Sequence, residues 1–341
     1  MNVVGTIAVL ACALATEGPA VPAAGTGQYD ELAGKLLAAA RRIRSYSFTV
    51  QTTRRVLPAA ATPEEVAKAV AGFKVVEGTA SAEPGTTPEP PREVTTEEDR
   101  QAYRRRLLEG SQTSTTTAVI GQRPGRFRTR SVTEDAGEPV VTVTDGATFL
   151  AWQSPDPSGV LDWVVTVQKA RADLAPTMYT GYPYERWLAT GTIVGASPLG
   201  RGLERIKLKL ADGSGSVLID AAPQQGYLAR QVQVLDATGR VVEVSKNEDL
   251  EEFDGIWVPQ RVTRQEYKMV DGRPVLETES VDVMKDVKLN LPMTGAEFEL
   301  KPPPKCRVID MREVPPVTYF TNLDGMPAPE AEVNMHARPP G

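Results

Sequence analysis

Histidine is almost missing from this chain. His336 is the only one, and it lies in a proline-dense tail. A Ser-His-Asp arrangement would have to use it, and a loose tail fixes catalytic geometry poorly. The two cysteines, Cys12 and Cys306, cannot build a disulfide framework. A zinc site needs three or four converging Cys, His or carboxylate ligands at a recognisable spacing, and no stretch offers that. Positive charge is also short. The chain carries 38 Lys and Arg against 44 Asp and Glu, a formal net charge of −6, which argues against nucleic acid as the main partner. Two local exceptions, Arg41-Arg42-Ile43-Arg44 and Arg104-Arg105-Arg106, fall on expected helices and read as solvated faces. Long apolar runs are missing too. The apolar stretch at residues 3–15 is too short to cross a membrane. No catalytic constellation, metal site or cofactor motif emerges, so the chain reads as non-enzymatic.

What is present is a run of strands. In Ile206-Lys207-Leu208-Lys209-Leu210 apolar and charged residues alternate strictly, the pattern of a strand with one buried and one wet face. Turn signals follow at Asp212-Gly213-Ser214-Gly215, Asp236-Ala237-Thr238-Gly239, Asp254-Gly255 and Asp271-Gly272-Arg273. Each carries Gly or Asp, which tolerate the positive φ of hairpin turns. Residues 203–289 therefore predict an antiparallel meander of about six strands.

The chain before it is mixed. Residues 1–28 predict a signal peptide and linker: an apolar core, Ala13-Leu14-Ala15 as a cleavage site, then a Pro/Gly/Ala-rich stretch. No Lys or Arg precedes Lys35, so the basic start is lacking. Lipidation of Cys12 and a non-exported, disordered start are the alternatives. Residues 29–45 predict a helix with Leu32, Leu36, Ala40 and Ile43 on one face, and residues 47–57 a strand. Residues 58–112 predict a surface insertion of two helices, the first opened by Thr62-Pro63-Glu64-Glu65 and the second by Thr95-Thr96-Glu97-Glu98, with Gly110 closing it. Between them, residues 80–91 are a flexible Pro/Gly/Thr-rich stretch. Strands resume over 113–153, with a hairpin at Asp145-Gly146. Lid-like helices are expected over 158–190, one at 160–174 and a short aromatic one at 182–190. The Pro-rich tail 311–341 is expected to wrap the surface or stay disordered.

Three phrases in this order resemble the LolA/LolB-like superfamily of outer-membrane lipoprotein-sorting and related periplasmic lipid-binding proteins. They are Ile43-Arg44-Ser45-Tyr46-Ser47-Phe48-Thr49-Val50, Thr144-Asp145-Gly146-Ala147-Thr148-Phe149-Leu150-Ala151-Trp152, and Asn290-Leu291-Pro292 through Phe298-Glu299-Leu300-Lys301-Pro302-Pro303. The likeness covers residues 29–310, with 58–112 as an extra insertion. It implies a mainly β, α+β fold: a strongly curved antiparallel sheet, or incomplete β-barrel, with helices on its concave side and an apolar cavity for acyl chains. It further implies a periplasmic or otherwise exported carrier whose partner is a lipid or acylated lipoprotein. A peripheral membrane attachment, or none, goes with that. An envelope sensor or scaffold meeting another protein through 58–112 and the tail is the alternative. The lid-holding arginine of the family's sorting carriers has no distinct counterpart among Arg126, Arg128 and Arg130.

Trp152, Trp163, Val164, Tyr184, Trp187, Leu188 and Trp257 are the candidate cavity or lid residues. Aromatic side chains also dominate ordinary cores, so packing is the competing reading. The acidic run Glu248-Asp249, Glu251-Glu252, Asp254 lacks calcium-loop spacing and reads as a solvated loop. No pair of carboxylates stands out for glycoside hydrolysis.

Overall fold

Residues 203–289 form six consecutive hairpin-linked strands, as their alternation requires, and they are one part of a much larger sheet. The computed structural model describes residues 29–58, 62–73, 76–77, 92–93, 95–123, 125–134, 139–153, 163–170, 179–270, 272–299, 301–304, 306–312, 315–322 and 324–328. The expected leader 1–28 with Cys12, the stretch 80–91 and His336 lie outside the described residues.

Helix α1 (Asp30–Arg41) leads into β1 (Ser45–Val56). The insertion holds α2 (Pro63–Ala71), the short strands β2 (Val76–Glu77) and β3 (Arg92–Glu93), and α3 (Glu97–Glu109). Then come β4 (Ser111–Gln122), β5 (Arg126–Thr133), β6 (Val140–Thr144), β7 (Thr148–Gln153), β8 (Trp163–Lys169) and α4 (Tyr184–Thr190). The meander adds β9 (Gly191–Gly200), β10 (Leu203–Leu210), β11 (Gly215–Ala222), β12 (Leu228–Asp236), β13 (Val241–Phe253), β14 (Ile256–Val270) and β15 (Arg273–Leu289). The chain closes with β16 (Cys306–Asp310), β17 (Val317–Thr321) and β18 (Pro327–Ala328).

All but β2 and β3 belong to one sheet, in the order β18-β17-β16-β8-β7-β6-β5-β4-β1-β15-β14-β13-β12-β11-β10-β9. It is curved and open, since β18 and β9 do not meet. Its pairings are antiparallel except for β16 beside β8. The turns are built as their residues demand. Asp254 and Gly255 both have positive φ (48° and 75°), the geometry of a two-residue hairpin turn. Asp236 Oδ1 accepts from the amides of Thr238 (2.8 Å) and Arg240 (2.9 Å). Both insertion helices open on a capping box, Thr62 with Glu65 and Thr96 with Asp99. Phe73 stacks on Tyr103 at 4.2 Å between them. No residue of α3 is buried.

Successive side chains on a strand point to opposite faces, so register decides which residues share one. The larger core lies on the face that carries α1 and α4. Leu36, Ala40 and Ile43 of the first helix region pack on Tyr46, Phe48 and Val50 of β1, with Ile206, Leu208, Ile219, Leu228, Val258, Val262 and Met284 from the meander. Fully burying one such aliphatic side chain contributes about 1.5–3 kcal/mol. A second, smaller core of Leu150, Val165, Val167, Cys306 and Val308 lies on the other face. The register shows this: Leu150 shares its face with Val143 and Val167, whereas Thr144 and Thr142 share theirs with Phe127 and Thr129. The buried face thus switches along the sheet.

The helix-to-strand passage is pinned by a distant segment. Asn290 Oδ1 accepts from the amide of Arg44 (2.7 Å), its Nδ2 donates to the carbonyl of Arg42 (3.1 Å), and Ser45 Oγ donates to the carbonyl of Leu291 (2.6 Å). Two of the sequence phrases, far apart in the chain, therefore meet.

Several expectations change. The helix expected at 160–174 is the strand β8. Its Val164-Val165-Thr166-Val167 run is β-branched, which favours a strand, and short apolar runs do not distinguish the two by period alone. Within 158–190, α4 is the helix of the described residues. The tail expected to wrap the surface or stay disordered contributes β17 and β18 to the sheet. Strand β9 was not anticipated. It is an edge strand, where Pro198 is tolerated. The acidic run lies on the C-terminal half of β13 rather than on a loop, except for Asp254, which sits in the turn that follows. The passage Ala296–Phe298 is a 3₁₀ turn that buries Phe298.

Gly121 has a steric reason: the Tyr46 ring lies over it, and a Cβ there would overlap that ring. Gly121→Ala should therefore lower unfolding free energy by about 1–3 kcal/mol in urea titrations. Gly195→Ala, whose Cβ would meet Lys207 Cβ at an ordinary 3.8 Å, should stay within about 0.5 kcal/mol of the parent.

Candidate functional site

The apolar core on the helix-bearing face does not end in solvent. It grades along β1, β15 and β14 into a buried polar row. Met284 of β15 is followed on the same face by Asp282, Ser280 and Thr278, all buried. Across the sheet, the row through Asp282 reads Thr133, Thr115, Thr52, Asp282, Val262, Asn247. The next row outward holds Arg54, Ser280, Arg264 and Ser245.

Asp282 is the centre of this band, with 1% of its surface exposed. Its Oδ1 accepts from Thr52 Oγ1 at 2.6 Å. Its Oδ2 is buried without a hydrogen-bond partner among the described residues and faces Arg264 Nη2 at a loose 3.8 Å. Arg264 in turn reaches Glu243 at 3.8 Å. Burial pushes the Asp282 carboxyl above its ordinary range, against the Thr52 hydrogen bond and the Arg264 charge, which both lower it. Gln260, two residues before Val262 on the same face, also buries an amide nitrogen that has no partner among the described residues. A buried polar atom without a partner costs about 1–3 kcal/mol, so two of them on one apolar face invite a partner from outside the chain.

Tyr179 roofs the boundary. Its ring meets Phe48 edge-on at 5.8 Å. Burial pushes its phenol up to about 12, with Asp282 adding to the rise and Arg264 opposing it. Beyond it, α4 is anchored from several sides. Tyr184 is fully buried, and its hydroxyl donates to the carbonyl of Tyr227. Glu185 pairs with Arg123, whose Nε donates to the carbonyl of Ile43 at 2.7 Å. Arg186 lies over the Trp187 ring at 4.5 Å.

On β4 to β6 the same face is lined with hydroxyls. Thr115 meets Thr133 at 3.1 Å and Thr117 meets Ser131 at 2.9 Å, and Thr129 bonds Thr142.

The structure gathers some of the expected site residues and separates others. Tyr184, Trp187, Leu188 and Trp257 all pack on the larger core. Trp152 packs on the smaller core, on the opposite face. Val164 is half-buried on β8 beside Arg307. Trp163 pairs with Cys306 through its backbone, and its side chain lies outside the described residues. Asp282, Arg264, Gln260 and Tyr179 escaped sequence reading. The signal for them was an Asp and an Arg at inward-facing positions of otherwise alternating strands, visible only once the register is known.

Solved structures of other proteins align with this chain. A domain described as an outer membrane lipoprotein-sorting protein from Vibrio parahaemolyticus aligns with a TM-score of 0.43 at 9% identity, over 79% of this chain and 95% of that one. A LolA superfamily protein from Nitrosomonas europaea gives 0.43 at 13% identity, over 78% and 97%. A DUF1329 family protein from Desulfovibrio piger gives 0.42 at 10% identity, over 79% and 95%. Similarity of this degree concerns the general course of the chain and carries no ligand or residue role. No family model matches the sequence, and no curated protein matches it. Among the described residues, no helix is long and apolar enough to cross a membrane.

The raised Asp282 gives a pH test with a definite sign. The folded state holds this proton more tightly than the unfolded chain. The carboxyl therefore favours folding when protonated, and that contribution is lost as pH rises through its folded pKa. Asp282→Asn cannot ionise. In urea titrations the parent should gain stability relative to this variant as pH falls from 7 toward 4.

Proposed function

We propose that this protein is an exported, non-enzymatic carrier that holds an amphiphile with an acyl chain on the helix-bearing face of its sheet. That face is taken as the concave, ligand-facing side. The apolar chain lies against the region of Phe48, Val50, Val262 and Met284. The polar end of the guest meets Asp282, Gln260 and Arg264. Tyr184, Trp187, Leu188 and Trp257 frame the helical end as a lid. A lipid or the acyl group of a lipoprotein is the ligand class. Export rests on the leader-like pattern of residues 1–28.

The observation that carries this reading is a pair of buried polar atoms on the helix-bearing face, Asp282 Oδ2 and Gln260 Nε2, that have no hydrogen-bond partner among the described residues. A purely structural core gains nothing from leaving them so, because it could have filled both positions with aliphatic side chains. An amphiphile satisfies both halves of the face at once. Its chain contributes about 0.8 kcal/mol per buried CH₂, and its head supplies the absent hydrogen bonds.

The test uses delipidated protein and a fluorescent fatty acid. Saturable uptake, displaced by unlabelled fatty acid, is expected. Gln260→Leu and Asp282→Asn should each weaken it by about five-fold or more, a loss of one hydrogen bond's magnitude, with far-UV circular dichroism unchanged. No uptake, or uptake indifferent to both substitutions, would overturn the reading.

A further inference from the structure

The opposite face of the meander carries a different feature, a polar hollow of about 600 Å³ near the open edge of the sheet. It is bounded by the tight turn between β9 and β10, the end of β11, the 3₁₀ turn Pro223–Gln225, and the facing stretches of β12 and β13. Its floor follows one register row, Arg205, Asp220, Gln231, Lys246. That row lies on the far side of the sheet from Ile219, Val232 and Ser245, and hence from the amphiphile site.

The charges around the hollow do not cancel. Asp220 is already matched: Arg205 holds it with two hydrogen bonds, 2.7 Å from Nε and 2.8 Å from Nη2. Glu248 is also engaged, accepting from Thr263 at 2.9 Å and facing Arg261 at 3.7 Å. Arg201, Arg230 and Lys246 line the same hollow, and none has an ion-pair partner among the described residues. Arg201 stands at the tip of its turn with φ at +53°, a conformation that an arginine adopts only where the turn imposes it. Three unmatched cations thus converge on a concavity of small-molecule size. Gln224, Gln225 and Gln231 add amide donors and acceptors. Three cationic side chains on the lining do not suit an acyl chain.

We propose that this hollow binds a phosphate group borne on a small hydroxylated molecule. Guanidinium forks match phosphate oxygens in pairs, a third cation meets the second negative charge, and the glutamine amides meet hydroxyls. The phosphate can belong to a free polyol phosphate or to the head group of a phospholipid, since the chemistry offered to the hollow is the same.

Titration calorimetry on the full chain decides, with glycerol 3-phosphate, inorganic phosphate and glycerol as probes, and with phosphatidylglycerol vesicles in a sedimentation assay. Glycerol 3-phosphate is expected to bind more tightly than inorganic phosphate, glycerol not at all, and affinity to fall as salt rises. The double substitution Arg201→Asn, Arg230→Gln should weaken binding about ten-fold or more. Asn tolerates the left-handed turn, and the variant's melting temperature checks its fold. Vesicle binding without glycerol 3-phosphate binding, lost in the same variant, supports the proposal with a head group as the source. Binding of neither probe, or binding unaltered in a folded variant, overturns it. Fatty acid uptake in the same variant should be unchanged, so the two sites stand or fall separately.

Discussion

The constraint on which this molecule turns is that a continuous sheet has two faces, and each stretch of strand can bury only one cheaply. Hydrogen bonding carries the sheet from β18 to β9 without a break, but the side chains change allegiance on the way. From β1 through the meander, inward-facing residues pack on α1 and α4. From β6 to β8, joined by β16 and β17, the opposite side chains are buried. Strands β4 and β5 lie between, and their hydroxyl pairs fit a zone that is neither core nor free surface. Threonine suits such a place because it combines strand preference with a hydrogen-bonding group.

This switch explains why the polar band sits where it does. A carboxylate in the middle of a core is tolerated only with partners, and Asp282 has a hydroxyl on one side and a distant guanidinium on the other. The band is the border where the helix-covered core gives out. A guest with one greasy end and one hydrogen-bonding end fits a border better than it fits either side of it. The cationic hollow beyond the opposite face follows from the same alternation, since the residues that leave the core face of β11 to β13 must carry the charge that keeps the other face wet.

Much of the meander was legible in the sequence because its signals are local. Alternation in Ile206 to Leu210 and Asp-Gly turns each act within a few residues, and the structure follows them. The helix face of Leu36, Ala40 and Ile43, and the Thr62 and Thr96 starts, were legible for the same reason. Strand β8 was misread because four β-branched and apolar residues fit either period, and its partner β16 lies far along the chain. Strands β16 and β17 were hidden among prolines. Legibility was poorest at the candidate site, because it is a product of register. Nothing local marks Asp282 as inward-facing, and Thr52 is distant in sequence. The tryptophans were visible as residues, but their division between two cores depends on which face each strand buries.

In the proposed function, one particular face of the sheet receives the guest. Methyl-resolved NMR during titration with a fatty acid tests it most directly. Shifts are expected in Val50, Val262 and Met284 while Val165, Val167 and Val308 stay still. Shifts confined to the second group, with the first unmoved, would contradict it.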